Sequence, residues 1–190
     1  MRIADTDIVI VPGYTGADDG HWQSRWLERM PTARMVRQDD WLKPVREDWI
    51  ARLDEALEAE DGPAVLVGHS LGCHVVALAA QQWNEATKRK VRGAFLVAPP
   101  DVENPGLKPK HLMTFGPYPR ERLPFPSIVV ASRDDRFCDY PVAQKMAGAW
   151  GSLLVDARES GHINTASGHG PWPDGLMVFA NFMAKLTPAA

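Results

Sequence analysis

Between Leu66 and Cys73 the chain reads LVGHSLGC, a serine set between Gly68 and Gly72 at the end of an apolar run. A serine hydroxyl is a poor nucleophile at neutral pH unless a base takes its proton and an acid orients that base. Both residue types occur farther along. Ser132-Arg133-Asp134-Asp135 follows the apolar run Ile128 to Ala131, and Ser160-Gly161-His162-Ile163-Asn164 follows Leu153 to Val155. The chemistry that such a set performs is acyl transfer: Ser70 attacks a carbonyl as His162 takes its proton, and Asp135 holds the imidazole in the right tautomer. Gly68-His69-Ser70-Leu71-Gly72 also matches GxSxG, in which the serine occupies a strained strand-to-helix turn. The N–H of Leu71, at the start of the following helix, is then free to donate to an oxyanion. A second donor is expected from the turn Val11-Pro12-Gly13-Tyr14: the N–H of Tyr14, with Gly13 letting the backbone approach. His21 and Trp22, just beyond, are placed to line the pocket, although Trp22 reads equally well as a residue that packs its helix on the sheet.

Other residues compete for these roles. Asp134 and Asp101 are the alternatives to Asp135, and an unused Asp134 reads as a solvated loop charge. His169 is the alternative to His162 and otherwise a loop residue. His69 adjoins the nucleophile on a strained turn, so its ring is expected to point elsewhere, as a packed, hydrogen-bonded core histidine. His74 and His111 read as surface or packing residues. No HExxH, GxGxxG or GK[ST] occurs, so neither a metal nor a nucleotide cofactor is implied. Cys73 and Cys138 are too few for a disulfide framework and stand in no CxxC pattern, so they read as free thiols in a reducing compartment. Cys73 should pack as a small hydrophobe.

The elements that must position these groups follow from the apolar pattern. Ile8 to Val11, Ala64 to Val67, Ala94 to Ala98, Ile128 to Ala131 and Leu153 to Val155 lack polar alternation, as strands buried on both faces of a parallel sheet do. Arg34 to Gln38 is a weaker sixth, suited to an edge. Between the runs lie helical stripes: Trp22, Trp26, Leu27 and Met30; then Val45, Trp49, Ile50, Leu53 and Leu57, after Pro44 at a first helical position and before Gly62. Leu71 to Trp83 is apolar almost all round and predicts a central helix, and Leu176, Phe179, Ala180, Met183 and Leu186 mark a last one. Alternating strands and helices give an α/β doubly wound fold. Residues 99–126 break the rhythm, with eight of the sixteen prolines and no sustained period. They form either a long connection or a partial cover over a pocket.

The length of 190 residues, 45% of them hydrophobic and 24% charged, fits one domain over 1–190 with a sizeable core. With a net charge of −3, the short basic cluster Lys88 to Arg92 reads as a solvated helix end, not a nucleic-acid footprint. The apolar run near the N-terminus is too short for a signal peptide or a membrane span, so a cytoplasmic protein is expected.

Several stretches together carry a family resemblance: VPGY, HWQSRW, DDWLKP, VGHSLGC, FLVAPPD, ASRDDRFC, WGS, SGHIN and SGHGPWPDG. Over nearly its whole length the chain resembles the small serine hydrolases of the YdeN and retinoblastoma-binding-protein-nine family, a minimal α/β-hydrolase fold. The resemblance implies a six-stranded, mostly parallel sheet lacking the first two strands of larger hydrolases, and a triad of Ser70, Asp135 and His162. Where the family often places proline after the acid, this chain has Arg136.

The function expected is hydrolysis of carboxylic esters or related acyl bonds of small substrates, without a cofactor. A peptide- or amide-directed hydrolase is an alternative. So is a binding module that keeps the elbow but docks a protein partner, as the name of one family member suggests.

Overall fold

The structure, a computed structural model, describes residues 1–2, 5–59 and 61–186. Six strands among the described residues form one sheet: β1 (Asp7–Val11), β2 (Ala33–Met35), β3 (Ala64–His69), β4 (Val91–Val97), β5 (Ser127–Ala131) and β6 (Leu153–Asp156). Their order is β2-β1-β3-β4-β5-β6, and every pairing is parallel, so the sheet expected to be mostly parallel is wholly so. Successive side chains on the central strands enter two separate cores. Val9, Val11 and Leu66 pack on one face, while Ile8, Ile10, Val65 and Val67 pack on the other. Burial on both sides is the reason the central runs are uninterruptedly apolar; the run Leu153 to Val155, expected to be buried likewise, instead forms the edge strand β6 and leaves Leu153 61% exposed.

Helices α2 (Arg46–Glu58), α3 (Leu71–Gln82) and α5 (Tyr140–Trp150) cover the first face; α1 (Trp22–Arg29) and α6 (Pro173–Lys185) cover the second. The short α4 (Glu85–Lys90) ends in Lys88, Arg89 and Lys90, cations that suit the carboxyl end of a helix dipole. Nine residues of α3 are buried, in keeping with its lack of a polar stripe. No helix among the described residues is long and apolar enough to cross a membrane.

Boundaries differ from the pattern-based expectation at several elements, and β3, for one, runs on past Val67 to His69. The edge strand β2 pairs only over Ala33–Met35, with the N–H of Val36 adding one bond to the Ile10 carbonyl. Helix α2 begins after an N-cap at Val45, so Pro44 lies just outside it, and Glu47 and Asp48 supply the first-turn negative charge instead. Strand β4 starts at Val91, because Val91 already pairs with Ala64 of β3.

Residues 99–126 take the place of a helix between β4 and β5. They contain a 3₁₀ turn over Lys110–Phe115 and bury Leu107, Leu112, Phe115, Tyr118, Leu123 and Phe125 in the core beside α2 and α3. Because the sheet is parallel, the loops after β1, β3, β5 and β6 all emerge at one rim, where α/β sheets bind their ligands.

Candidate active site

Strand β3 ends at His69, and α3 begins at Leu71. Ser70 alone makes the turn, with φ +53° and ψ −124°, a region that a residue bearing a Cβ enters only when its surroundings hold it there. Those surroundings are specific. The Ser70 N–H donates to the Val97 carbonyl at 2.9 Å, and the Cys73 N–H closes onto the Ser70 carbonyl at 3.0 Å. A Cβ on Gly72 would overlap the Val11 carbonyl oxygen and lie 2.8 Å from that of Pro12; one on Gly13 would lie 2.7 Å from the Ser70 Cβ. The loop after β1 is thus pressed against the elbow. Among the described residues, no hydrogen bond takes the N–H of Tyr14 or of Leu71.

Three side chains from three loops, Ser70, His162 and Asp135, line up in series. His162 Nε2 lies 2.9 Å from Ser70 Oγ, and its Nδ1 lies 2.8 Å from Asp135 Oδ2. The carboxylate is an acceptor, so the Nδ1–H donates to it; the Nε2 lone pair then faces the serine hydroxyl, which donates. The imidazole side chain is 9% exposed and the Asp135 side chain 3%, so their bond is shielded from water. The other Asp135 oxygen accepts the Phe137 N–H at 2.9 Å, a turn that orients the carboxylate without the proline that Arg136 replaces. Arg136 extends outward over the Phe137 ring, and that ring packs edge-on to the His162 imidazole at 4.5 Å between centroids.

The alternatives resolve by direction. The Asp101 carboxylate accepts the Glu103 N–H, and its backbone N–H donates to the Phe137 carbonyl. Asp134, adjacent to Asp135, turns the other way. It accepts the Ser132 hydroxyl at 2.6 Å and the Gly161 N–H at 2.7 Å, and these bonds hold its carboxyl below the usual carboxylate range. Asp134 is exposed, as a solvated loop charge was expected to be, but it also ties two loops together. His169 lies against Ser167 and Trp172, and the imidazole bonded to Ser70 is that of His162.

His21 and Trp22, expected to line the pocket, are buried beneath the site. Trp22 is 0% exposed, packs on Trp26, Trp172 and His69, and donates its indole N–H to the Ile163 carbonyl at 2.9 Å. That assignment is corrected: Trp22 supports the loop that carries His162. His21, 3% exposed, caps α1 by accepting the Gln23 N–H at Nδ1. Three imidazoles pack in series, His162 to His69 at 5.0 Å and His69 to His21 at 4.8 Å. Burial pushes His21 down to about 4 and holds His69 well below the ordinary histidine value, so both are neutral at neutral pH. Neutral His69 donates its Nε2–H to the His162 carbonyl at 3.0 Å, as a packed, hydrogen-bonded histidine should.

Sequence reasoning did not single out Gln23, which is buried and donates its side-chain amide to the Val67 carbonyl at 3.0 Å, tying α1 to the end of β3. Nor did it single out Ser132, whose hydroxyl accepts the Ser160 N–H at 2.9 Å. Their signal was a polar residue within an otherwise buried stretch. The two thiols are buried. Cys73 donates to the Val97 carbonyl, and burial, then the carboxylates of Asp135, Asp101 and Asp139, push Cys138 up to about 12. Neither is a thiolate at neutral pH, so neither competes with Ser70. No group of three or more metal-ligating side chains gathers among the described residues. A cleft of about 810 Å³ lined by Asp54, Trp83, Arg89 and Arg92 lies at the amino ends of β3 and β4, opposite the rim that carries Ser70.

Comparison with known proteins agrees with this architecture. The chain is 33% identical to a YdeN-like hydrolase from Pectobacterium atrosepticum over 97% of its own length and 94% of that chain, with a TM-score of 0.84. It matches the ydeN gene product of Bacillus subtilis at 22% identity over 95% and 100% of the two chains, TM-score 0.76. It matches a butyrate-bound esterase from Thermogutta terrifontis at 17% identity over 100% and 88%, TM-score 0.68. No curated protein matches the chain. The serine hydrolase family profile matches residues 8–181, and together with the Pectobacterium relative this shows that the chain belongs to the serine hydrolases, in their YdeN-like, α/β-hydrolase branch.

Proposed function

We propose that this hydrolase cleaves carboxylic esters or related acyl bonds of small substrates through an acyl-serine intermediate. One observation carries the reading: a single imidazole bonded at Nε2 to Ser70 Oγ (2.9 Å) and at Nδ1 to Asp135 (2.8 Å). Ser70 attacks the carbonyl carbon while His162 Nε2 takes its proton, and the tetrahedral oxyanion accepts the N–H groups of Tyr14 and Leu71. The imidazolium formed is bonded to Asp135. His69 and His21 behind it are neutral, so neither adds a like charge that opposes its formation. His162 then protonates the departing alcohol, takes a proton from water and returns it to Ser70 as the acyl group leaves.

Rings border the site on several sides. Tyr14 packs on His111 at 5.4 Å, and Phe137 lies against His162. With residues 99–126 folded into the core, this supports a preference for short acyl groups. The test is an aryl-ester series of increasing acyl length, run with the wild type and Ser70→Ala. Activity should fall with acyl length, and Ser70→Ala should lower kcat on the order of 10³-fold or more. Near-wild-type activity of the variant ends the assignment, and a flat profile ends the short-acyl preference.

A further inference from the structure

The segment carrying His162 has an unusual backbone. Gly161 and Ile163, on either side of the base, have φ of +55° and +49°. For isoleucine, branched at Cβ, such a conformation persists only when neighbouring groups impose it. Three groups distant in sequence do so, each taking a different peptide of the loop. Asp134, from the loop after β5, accepts the Gly161 N–H at 2.7 Å. His69, from the elbow, donates to the His162 carbonyl at 3.0 Å, and Trp22, from α1, donates to the Ile163 carbonyl at 2.9 Å.

We propose that Asp134 is a positioning residue of the hydrolase: its carboxylate grips the backbone just before His162 while the adjacent Asp135 grips the ring, so that neighbouring acids hold one base by main chain and by side chain. Trp22 and His69 complete the clamp. The proposal rests on the reading of Ser70 and His162 as nucleophile and base. Asp134 suits the role because its Oδ1 takes both the Gly161 N–H and the Ser132 hydroxyl, while the Ser132 oxygen accepts the N–H of Ser160. The Asp134 carboxylate thereby joins the loops after β5 and β6 next to the base, while the Arg133 N–H, donating to the Arg158 carbonyl, joins them farther from it. Displacing a base by about 1 Å from its reactive geometry costs about 10²-fold in rate, so a clamp on the backbone has a kinetic consequence.

The side chain of Asp134 stands at the surface, so its removal leaves the core intact. Asp134→Ala and Asp134→Asn are compared with wild type by ester kinetics and by the NMR resonance of the His162 Nδ1–H bonded to Asp135. Asp134→Ala should lower kcat roughly 10- to 100-fold with KM little changed, and should broaden or move that resonance. Asp134→Asn, which keeps an acceptor oxygen for Gly161, should restore most of kcat. Trp22→Phe, which keeps an aromatic ring but removes the N–H to Ile163, should reproduce the Asp134→Ala signature and serves if that variant fails to fold. Wild-type kcat with an unmoved resonance in the folded variants overturns the proposal, as does an asparagine variant as impaired as the alanine one. The resonance is read without turnover. An inactive wild type therefore overturns the assignment of Ser70 as nucleophile, while the clamp is still decided by the spectrum.

Discussion

At the scale of single residues, the site depends on which way two neighbouring carboxylates point. Asp135 reaches the imidazole because the Phe137 N–H pins its other oxygen, and Asp134 is drawn to Gly161 and Ser132. The acid assignment is testable on the charge alone. In Asp135→Asn the side-chain amide can present an N–H to Nδ1, which favours the tautomer whose Nε2 carries the proton and cannot accept one from Ser70. The expected loss in kcat is about 10⁴-fold, the size seen when the acid of such a triad becomes an amide. Asp101→Asn should stay near wild type, since the Asp101 side chain accepts a bond only from the Glu103 N–H of its own loop. Steady-state kinetics of the two variants on one ester decide the matter, and the opposite ranking would move the acid to Asp101.

At the scale of elements, the elbow is a junction between β1, β3 and α3 with no space to spare. The second residue of α3 faces the carbonyls of Val11 and Pro12, both backbone atoms that no rotamer change can move aside. Gly72→Ala should therefore cost about 3 kcal/mol or more, at the upper end for overpacking, and displace the loop that bears the Tyr14 N–H. Urea unfolding should show a lowered midpoint, and kcat measured on the folded fraction should fall as well. An unchanged midpoint would mean that the junction is looser than its geometry. The element pattern was legible where burial imposes a period. The five apolar runs became strands, and α3 became a helix buried all round. Helix α5 was not singled out, because its inward positions Ala143, Met146, Ala147 and Trp150 include two alanines that mark a stripe weakly. The span of β2 was misjudged because an edge strand is decided by its partner's register more than by its own residues.

Across the whole molecule, burial of histidines links stability to pH. His21 and His74 are both pushed down to about 4, chiefly by burial, against an ordinary 6.5. Between those values the unfolded chain binds protons that the folded one does not, so stability is full above pH 6.5 and falls as the pH drops towards 4. From pH 6.5 to 5 the loss is about 2 kcal/mol for each of the two. His69, also lowered by burial, adds to it in the same direction. Thermal melts should show Tm decreasing over this range. His74→Gln, which keeps a donor for the Pro100 carbonyl but no titrating ring, should decline less steeply. A flat Tm between pH 7 and 5 would show that these rings take up protons without opening the fold.

By itself the sequence determined the strands, their alternation with helices, the elbow at Ser70 and a short set of acids and bases near later strand ends, because burial and turn chemistry are written in nearby residues. Tertiary structure alone decided that Asp134, the alternative to Asp135, turns instead to the backbone before His162, that Trp22 and His21 lie under the site, and that residues 99–126 join the core. These outcomes depend on contacts such as Asp135 to His162, 27 residues apart, and Trp22 to Ile163, 141 apart. A loop has no period to betray which way its side chains face; only the partners that folding brings beside it choose that direction.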